Sequence, residues 1–505
     1  MSAGRKLASL LLLAALAARP LLAQTPAAPP APVRLTMQEA IRRALGVGEE
    51  VRLAQSGVVQ AHGLVVQARA DAMPQVRVAL TYQRTFASPF SGGGSFPTLE
   101  PFAPDSTAPI DQRIKYLEDQ YPLMLARGIG DLFRATPFGQ QNTWTGNLTL
   151  SQLLFQGGKV GAGLSGARSY EQASRAQLEE TRNDITYRTR RAYLTALYTE
   201  RLVQIAEGGR QLAADQLRRV ETNQRVGSTS DYELLRAQVE VSNQDPVVIA
   251  ARNDRDIAFL QLRWLVNVPP EVPLELDPGP LAAADSIVDV DLDAVSSATV
   301  QRASIEMAEA TVDYRHQAVR VYQGDMWPAL HLNVYLGAQA YPNRILPSAG
   351  NFRRDWNASL SLSWALFEGL RTRGQVAQAR EMLTQAQLQL AQTREQVALE
   401  VAQARAELER SRALLVARRQ TVSQAQRAQH LASVRYANGI TTPLEVSDAR
   451  LALQQAQVNE AQALRDYLLG IAGVERALGH PVPVRVIERR AATDSAGPGN
   501  RGGSR

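Results

Sequence analysis

The sequence predicts a mainly α-helical fold with a β portion of four amphipathic strands, arranged as an internal duplication. Three observations predict it. Two proline-free stretches, from about Leu164 to Val226 and from about Val376 to Tyr436, are runs of Ala, Gln, Arg, Glu and Leu, which favour helix. Four segments of about 10–13 residues alternate apolar and polar side chains, the period of a strand. Trp144, Phe155, Gly227 and Glu233 recur as Trp356, Phe367, Gly439 and Glu445, each 212 residues further on (356 − 144 = 212).

Taken in order, Arg5 and Lys6 precede an apolar run from Leu7 to Ala18, with a cleavage point expected after Ala23. This is the layout of a secretory signal peptide over residues 1–23, and the run is too short for a bilayer that needs ~20 residues. Residues 24–35 read as a Pro/Ala-rich tether. The first repeat spans 36–267, with a helix, strands at about 75–86 and 143–155, and then long helices. Pro74 and Pro328 correspond at an offset of 254 and not 212, so 42 residues (254 − 212) are inserted in the first repeat between its two strands. That insertion, within Ser88 to Gln141, is rich in Gly and Pro and reads as a long loop. Residues 268–297 read as a linker, 298–480 as the second repeat with strands at about 328–340 and 355–367, and 481–505 as a tail disordered at its end.

The strands carry one apolar and one polar face. Trp356, Ala358, Leu360, Leu362, Trp364 and Leu366 alternate with Asn357, Ser359, Ser361 and Ser363. Leu330, Leu332, Val334 and Leu336 alternate with Ala329, His331, Asn333 and Tyr335; Val76, Val78, Leu80 and Tyr82 do so with Arg77, Ala79 and Thr81, and Leu148 and Leu150 with Asn147, Thr149 and Ser151. Such a face suits either a second sheet or lipid. Their length is close to the ~9–11 residues of a tilted membrane strand. Aromatic residues near the strand ends fit an interfacial girdle as well as a buried core. If the strands lie in lipid, four cannot close a barrel, because open edges would leave backbone groups unpaired in hydrocarbon, and several chains must share one.

In the second long helix Leu383, Leu390, Val397 and Ala404 recur every seven residues, interleaved with Val401, Leu408, Leu415 and Val422, a heptad seam. Roughly 60 residues at 1.5 Å each make a rod of about 90 Å. Gly227 and Gly439 read as helix stops, Ser230 and Thr442 as caps of the next helices, and Pro443 as a first-turn residue. Glu233, Glu445 and Asp448 stand just after these breaks, where acids also complement a helix N-terminus.

Composition removes several function classes. The net charge of +6 is small for 505 residues and Arg is interleaved with Glu, Asp and Gln, so no nucleic-acid groove is expected. With no Cys, disulfides, zinc-thiolate sites, cysteine nucleophiles and lipid-modified cysteines are excluded. Five scattered His without an H-E-x-x-H pattern make no metal site. Gly161, Gly163 and Gly166 match the dinucleotide-binding pattern literally, but no parallel strand returns within the ~30 residues such a unit requires; they read as easing a strand-to-helix transition. No catalytic residue, metal or cofactor is expected.

L-T-M-Q-E-A-I-R-R-A-L (Leu35 to Leu45), the duplicated L-F-Q-G-G and L-F-E-G-L, and the paired glycine turns resemble the TolC family of outer-membrane efflux channels, from about Leu35 to Pro483. The resemblance implies a fold class that is mainly α with a transmembrane β portion: a homotrimer whose chains each give four strands to one twelve-stranded barrel in outer-membrane lipid, continued by a periplasmic helical tunnel. It implies no catalytic activity, and docking to a periplasmic adaptor and an inner-membrane transporter of the RND, ABC or MFS type for export of drugs, metabolites or proteins. The insertion would lie outside the cell. The resemblance places Glu445 and Asp448 in an acidic ring at a periplasmic gate, and Tyr436 and Glu233 among side chains that hold the closed state. Thr441 stands where relatives carry a basic latch, and Arg236, equivalent to Asp448, is a candidate to pair with it. The turns at Gly227, Ser228, Gly439 and Ile440 would receive the adaptor tips. Without Cys, the acyl anchor of some relatives is not expected. A secreted or periplasmic coiled-coil rod or adhesin explains the helices, and a soluble periplasmic enzyme the signal peptide; both stand as alternatives.

Overall fold

In the computed structural model, which describes residues 32–87, 105–135, 141–279, 287–290, 300–342, 344–482 and 484–487, the duplication appears as matched helix lengths. In chain order the described elements are β1 (Val33–Leu35), α1 (Met37–Val47), α2 (Glu49–Ala70), β2 (Gln75–Arg84), α3 (Ile110–Ala135), β3 (Asn142–Gln156), α4 (Lys159–Arg225), α5 (Asp231–Val266), β4 (Leu274–Leu276), β5 (Ile287–Val290), α6 (Ala303–Gly324), β6 (Ala329–Ala340), β7 (Phe352–Ser363), α7 (Arg371–Ala437), α8 (Pro443–Leu478) and β8 (Val484–Ile487). Helices α4 and α7 each have 67 residues, about 100 Å at 1.5 Å per residue, and α5 and α8 each have 36. Both pairs are offset by 212 (371 − 159, 443 − 231), whereas the 22-residue α2 and α6 are offset by 254 (303 − 49).

The signal peptide falls outside the described residues. Three expectations are corrected. Val33–Leu35, assigned to the tether, form a strand parallel to Leu274–Leu276. The insertion is not all loop: its Gly and Pro cluster before Ile110, and beyond them Ile110, Ile114, Leu117, Tyr121 and Leu125 recur at helical spacing and build α3. Gly161, Gly163 and Gly166 lie inside α4. The turn into that helix is made by Gly157 (φ 52°) and Gly158 (φ 78°), and a Cβ on Gly157 would stand 2.7 Å from the Trp327 ring.

Two compact units result. One comprises the described parts of Gly57–Ser174 and Met307–Ala391. Its sheet has the order β2-β3-β6-β7, antiparallel throughout. Register aligns Val78, Leu148, Leu336 and Trp356 in one row and Val76, Leu150, Val334 and Ala358 in another, so one face is apolar across all four strands. The opposite face carries rows such as Arg77, Thr149, Tyr335 and Asn357. On the outer strands β2 and β7 the apolar face is bare, with Val78 and Trp356 each 77% exposed, and on the central strands it is half-buried at Leu150 and Val334. Strand β7 ends earlier than expected. Its last pair is Ser363 with Ala329, next to Pro328, which has no N–H for the ladder, and Trp364 turns its indole N–H to the Met326 carbonyl at 3.2 Å.

The other unit comprises the described parts of Met1–Ser56, Arg175–Glu306 and Gln392–Arg505. The heptad seam of α7 is buried at Val397, Leu408, Leu415 and Val422, with Leu408 and Leu415 packed on Tyr467, Ile471 and Val474 of α8. Val203 and Ala206 of α4 meet Val248 and Ala251 of α5 in the same way, small residues that let helices approach closely. Arg302, 5% exposed, fastens three helices: its guanidinium donates to Glu180 of α4 at 2.8 Å and to the Arg476 carbonyl of α8 at 2.6 Å, and stands 3.5 Å from Glu400 of α7. Tyr193, fully buried on α4, donates to the Leu35 carbonyl at 2.8 Å and lies 2.9 Å from that of Asp277, which ties the β1 and β4 segments to the helix.

Burial, with the nearby Asp277 and Glu200 charges, pushes the Tyr193 phenol up to about 12. The neutral phenol is therefore favoured in the folded chain, so its contribution is whole below pH ~10 and is lost between pH ~10 and ~12. Tyr193→Phe is expected to cost about 1–2 kcal/mol near neutral pH, and its deficit against wild type to shrink at pH ~11. Thermal unfolding followed by circular dichroism at both pH values checks this.

Candidate functional site at the helix-hairpin ends

Helices α4 and α7 both end in a full Schellman stop. Gly227 (φ 72°) donates its N–H to the Gln224 carbonyl at 2.9 Å and Ser228 donates to that of Asn223 at 3.0 Å. Gly439 (φ 72°) and Ile440 repeat this with Tyr436 at 3.0 Å and Arg435 at 2.9 Å. The next helices open on Ser230, whose Oγ accepts from the Glu233 N–H at 3.4 Å, and on Thr442 with Pro443 behind it.

The two hairpins are closed by different chemistry. In the first, Gln224 donates to Asp231 at 2.8 Å. In the second, Arg435 donates to Glu445 at 3.0 Å, and the Thr441 hydroxyl bonds the other oxygen of the same carboxylate. Thr441 thus acts with Arg435 to hold Glu445. Arg435 and Glu445 are each nearly half exposed, so the pair orients the carboxylate more than it stabilises the fold.

Between the hairpins lies a cleft of about 590 Å³. Glu233 and Arg236 line it from α5, Asp215 and Arg219 from α4, Ser433 and Val434 from α7, and Ser447 and Arg450 from α8. Glu445, Asp448 and Tyr436 do not line it. Within the chain no ion pair joins Arg236 to Asp448 and no hydrogen bond joins Tyr436 to Glu233 among the described residues.

What crosses the cleft is a group that sequence reasoning missed. Arg450, with 7% of its side chain exposed, pairs with Glu240 of α5, and Ser447 donates to the second oxygen of that carboxylate at 2.8 Å. Burial pushes the Arg450 guanidinium below its ordinary value, though arginine stays charged. Its Nε is buried without a partner. The only signal in the sequence is a cation on the stripe of α8 that continues through Ala456, Ala463, Tyr467 and Val474. Neither residue has a charged counterpart in the other repeat: Gln238 stands 212 before Arg450, and Ala452 stands 212 after Glu240. Among the described residues no group of three or more His, Asp or Glu is placed to hold a metal ion. No described helix is long and apolar enough to cross a membrane.

Comparison with known proteins matches residues 40–268 and 294–480 to the family model described as outer membrane efflux protein. No match is found among curated protein sequences. Among solved structures the chain is similar to the outer membrane protein VceC from Vibrio cholerae, at 18% identity and a TM-score of 0.67, over 88% of this chain and 96% of that one. It is similar to the CmeC outer membrane channel of Campylobacter jejuni, at 16% identity and 0.67, over 88% and 85%. The MtrE outer membrane channel of Neisseria gonorrhoeae follows at 15% and 0.65, over 88% and 89%.

Removing one partner of a buried ion pair strands the other. Arg450→Leu alone is expected to cost roughly 3 kcal/mol, and Glu240→Leu with Arg450→Leu together to recover most of it. Thermal unfolding of the two single variants and the double variant measures the cycle; additive losses contradict the pairing.

Proposed function

The chain belongs to the outer membrane efflux protein family, and from that premise we propose that it is the outer-membrane channel-tunnel of a tripartite export system. It acts as a passive exit duct, with substrates delivered by an inner-membrane transporter of the RND, ABC or MFS type through a periplasmic adaptor. The observation that carries this reading is the four-stranded sheet. One face is apolar over most of its length and exposed at Val78, Leu360 and Trp356, and neither β2 nor β7 has a strand partner on its outer edge among the described residues. A coiled-coil rod or a periplasmic enzyme has no use for such a face. Placed in lipid, its edges require strands from other copies. Three copies close a barrel of twelve strands, a homotrimer in which β7 of one chain pairs with β2 of the next.

In this reading the helix hairpins lie in the periplasm. Glu445 and Asp448, repeated three times, form an acidic constriction that favours cations. The exposed turns Gly227–Ser228 and Gly439–Ile440 receive the adaptor. Arg435 tempers the constriction, because it neutralises part of the Glu445 charge.

Fractionation of the mature protein with outer membrane, as a trimer that conducts ions across a planar bilayer, tests the reading; a monomer soluble without detergent overturns it. In the same bilayers, Glu445→Gln with Asp448→Asn is expected to lower the potassium-to-chloride permeability ratio. Arg435→Gln is expected to raise it. An unchanged reversal potential in both variants contradicts the constriction.

A further inference from the structure

The apolar face of the sheet is not uniform along its length. All four strands meet helices at one end, where α2 leads into β2, β3 into α4, α6 into β6, and β7 into α7. The connections β2 to β3 and β6 to β7 leave from the other end. On the apolar face, the only charged residues among the described strand positions are Arg84 and Arg354, and both lie toward the connection end. Arg84 shares its face with Val76, Val78, Leu80 and Tyr82, and Arg354 with Trp356, Ala358, Leu360 and Leu362. Each is nine residues from the helix end of its strand (84 − 75, 363 − 354).

That distance identifies their depth. Nine residues at ~3.3 Å, on a strand tilted by ~40°, rise about 23 Å, against an apolar band of about 25 Å in outer-membrane barrels. A cation on the lipid side is costly at the midplane and nearly free at the interface, so both arginines stand where such a charge is tolerated. The aromatic residues agree: Tyr82 stacks on Trp144 with ring centroids 4.9 Å apart two residues before Arg84, and Trp356 lies two residues after Arg354, an interfacial belt. Neither guanidinium has an ion-pair partner among the described residues. Asp355, next to Arg354, sits in the polar-face row with Gly337.

We propose that Arg84 and Arg354 form a phosphate-recognising rim on the lipid side of each protomer, whose partner is the phosphorylated head groups of the outer leaflet. A guanidinium presents paired donors to a phosphate, and anionic head groups attract cations at the surface. This rests on reading the sheet as part of a lipid-embedded barrel.

The test uses the full trimer in phosphatidylcholine vesicles, with and without added phosphatidic acid, and reads the temperature at which trimers dissociate on electrophoresis. Wild type is expected to gain several degrees from phosphatidic acid. Arg84→Gln with Arg354→Gln is expected to lose that gain, while Arg77→Gln, on the polar face of the same sheet, keeps it. A gain that persists in the Arg84/Arg354 variant, disappears in Arg77→Gln, or is matched by inorganic phosphate added to phosphatidylcholine vesicles overturns the proposal. Quenching of tryptophan fluorescence by phosphatidylcholine with brominated chains reports entry into lipid independently of phosphate. Absence of quenching overturns the barrel reading and the rim with it; quenching without a phosphate effect overturns the rim alone.

Discussion

The constraint on which the rest depends is the hydrogen-bonding demand of two strand edges. β2 and β7, ten and twelve residues long, turn alternate N–H and C=O groups to outer edges that have no strand partner among the described residues. In water, solvent satisfies such groups; beside an exposed apolar face in lipid, nothing does except another strand. On the proposed barrel reading the protomer is an incomplete object, and its edges call for strands from further copies. The helices share this incompleteness. Leu388, Leu399 and Val416 of α7 are all at least half exposed, apolar surface outside the seam that α8 covers.

Duplication explains the scaffold, and divergence explains its working parts. Helix lengths, the left-handed glycines at the hairpin ends and the left-handed stops at Asn267 and Gly479 are shared at an offset of 212. Backbone geometry is thus inherited by both halves, even where the residue changes: Leu370 holds φ 67° at the position of Gly158. Charged contacts are not inherited. Asn223 and Gln224 stand where the second repeat has Arg435 and Tyr436, Arg236 stands at the position equivalent to Asp448, and Arg405 replaces Tyr193. The two hairpins are alike in shape and different in electrostatics.

What was legible follows from this division. Face alternation on the strands and the heptad seam of α7 are periodic, and the repeat checks them, so the sequence alone supports them. Strand ends were not legible: nothing before Ser363 announces that Pro328 ends the ladder there or that Trp364 has a carbonyl to reach. Helix α3 was hidden because Gly and Pro in the first part of the insertion colour the whole, while its periodic second half has no repeat to check it. At the hairpins the sequence marks the turns through their glycines, but not which carboxylate meets which guanidinium. Arg435 and Glu445 are ten residues apart across a turn, and Glu240 and Arg450 are 210 apart.

The last two pairs differ in what they resist. Arg435 and Glu445 belong to one hairpin, so the α7–α8 turn carries the pair with it when it moves as a body. Glu240 and Arg450 join the two hairpins, and no movement of one against the other leaves that contact intact. Because Arg450 is buried, separating it from Glu240 exposes or strands a charge, whereas the exposed Arg435 and Glu445 exchange each other for water at little cost. The charge of the proposed constriction and the contact that resists separation of the hairpins therefore reside in different residues, and substitution can alter either one alone.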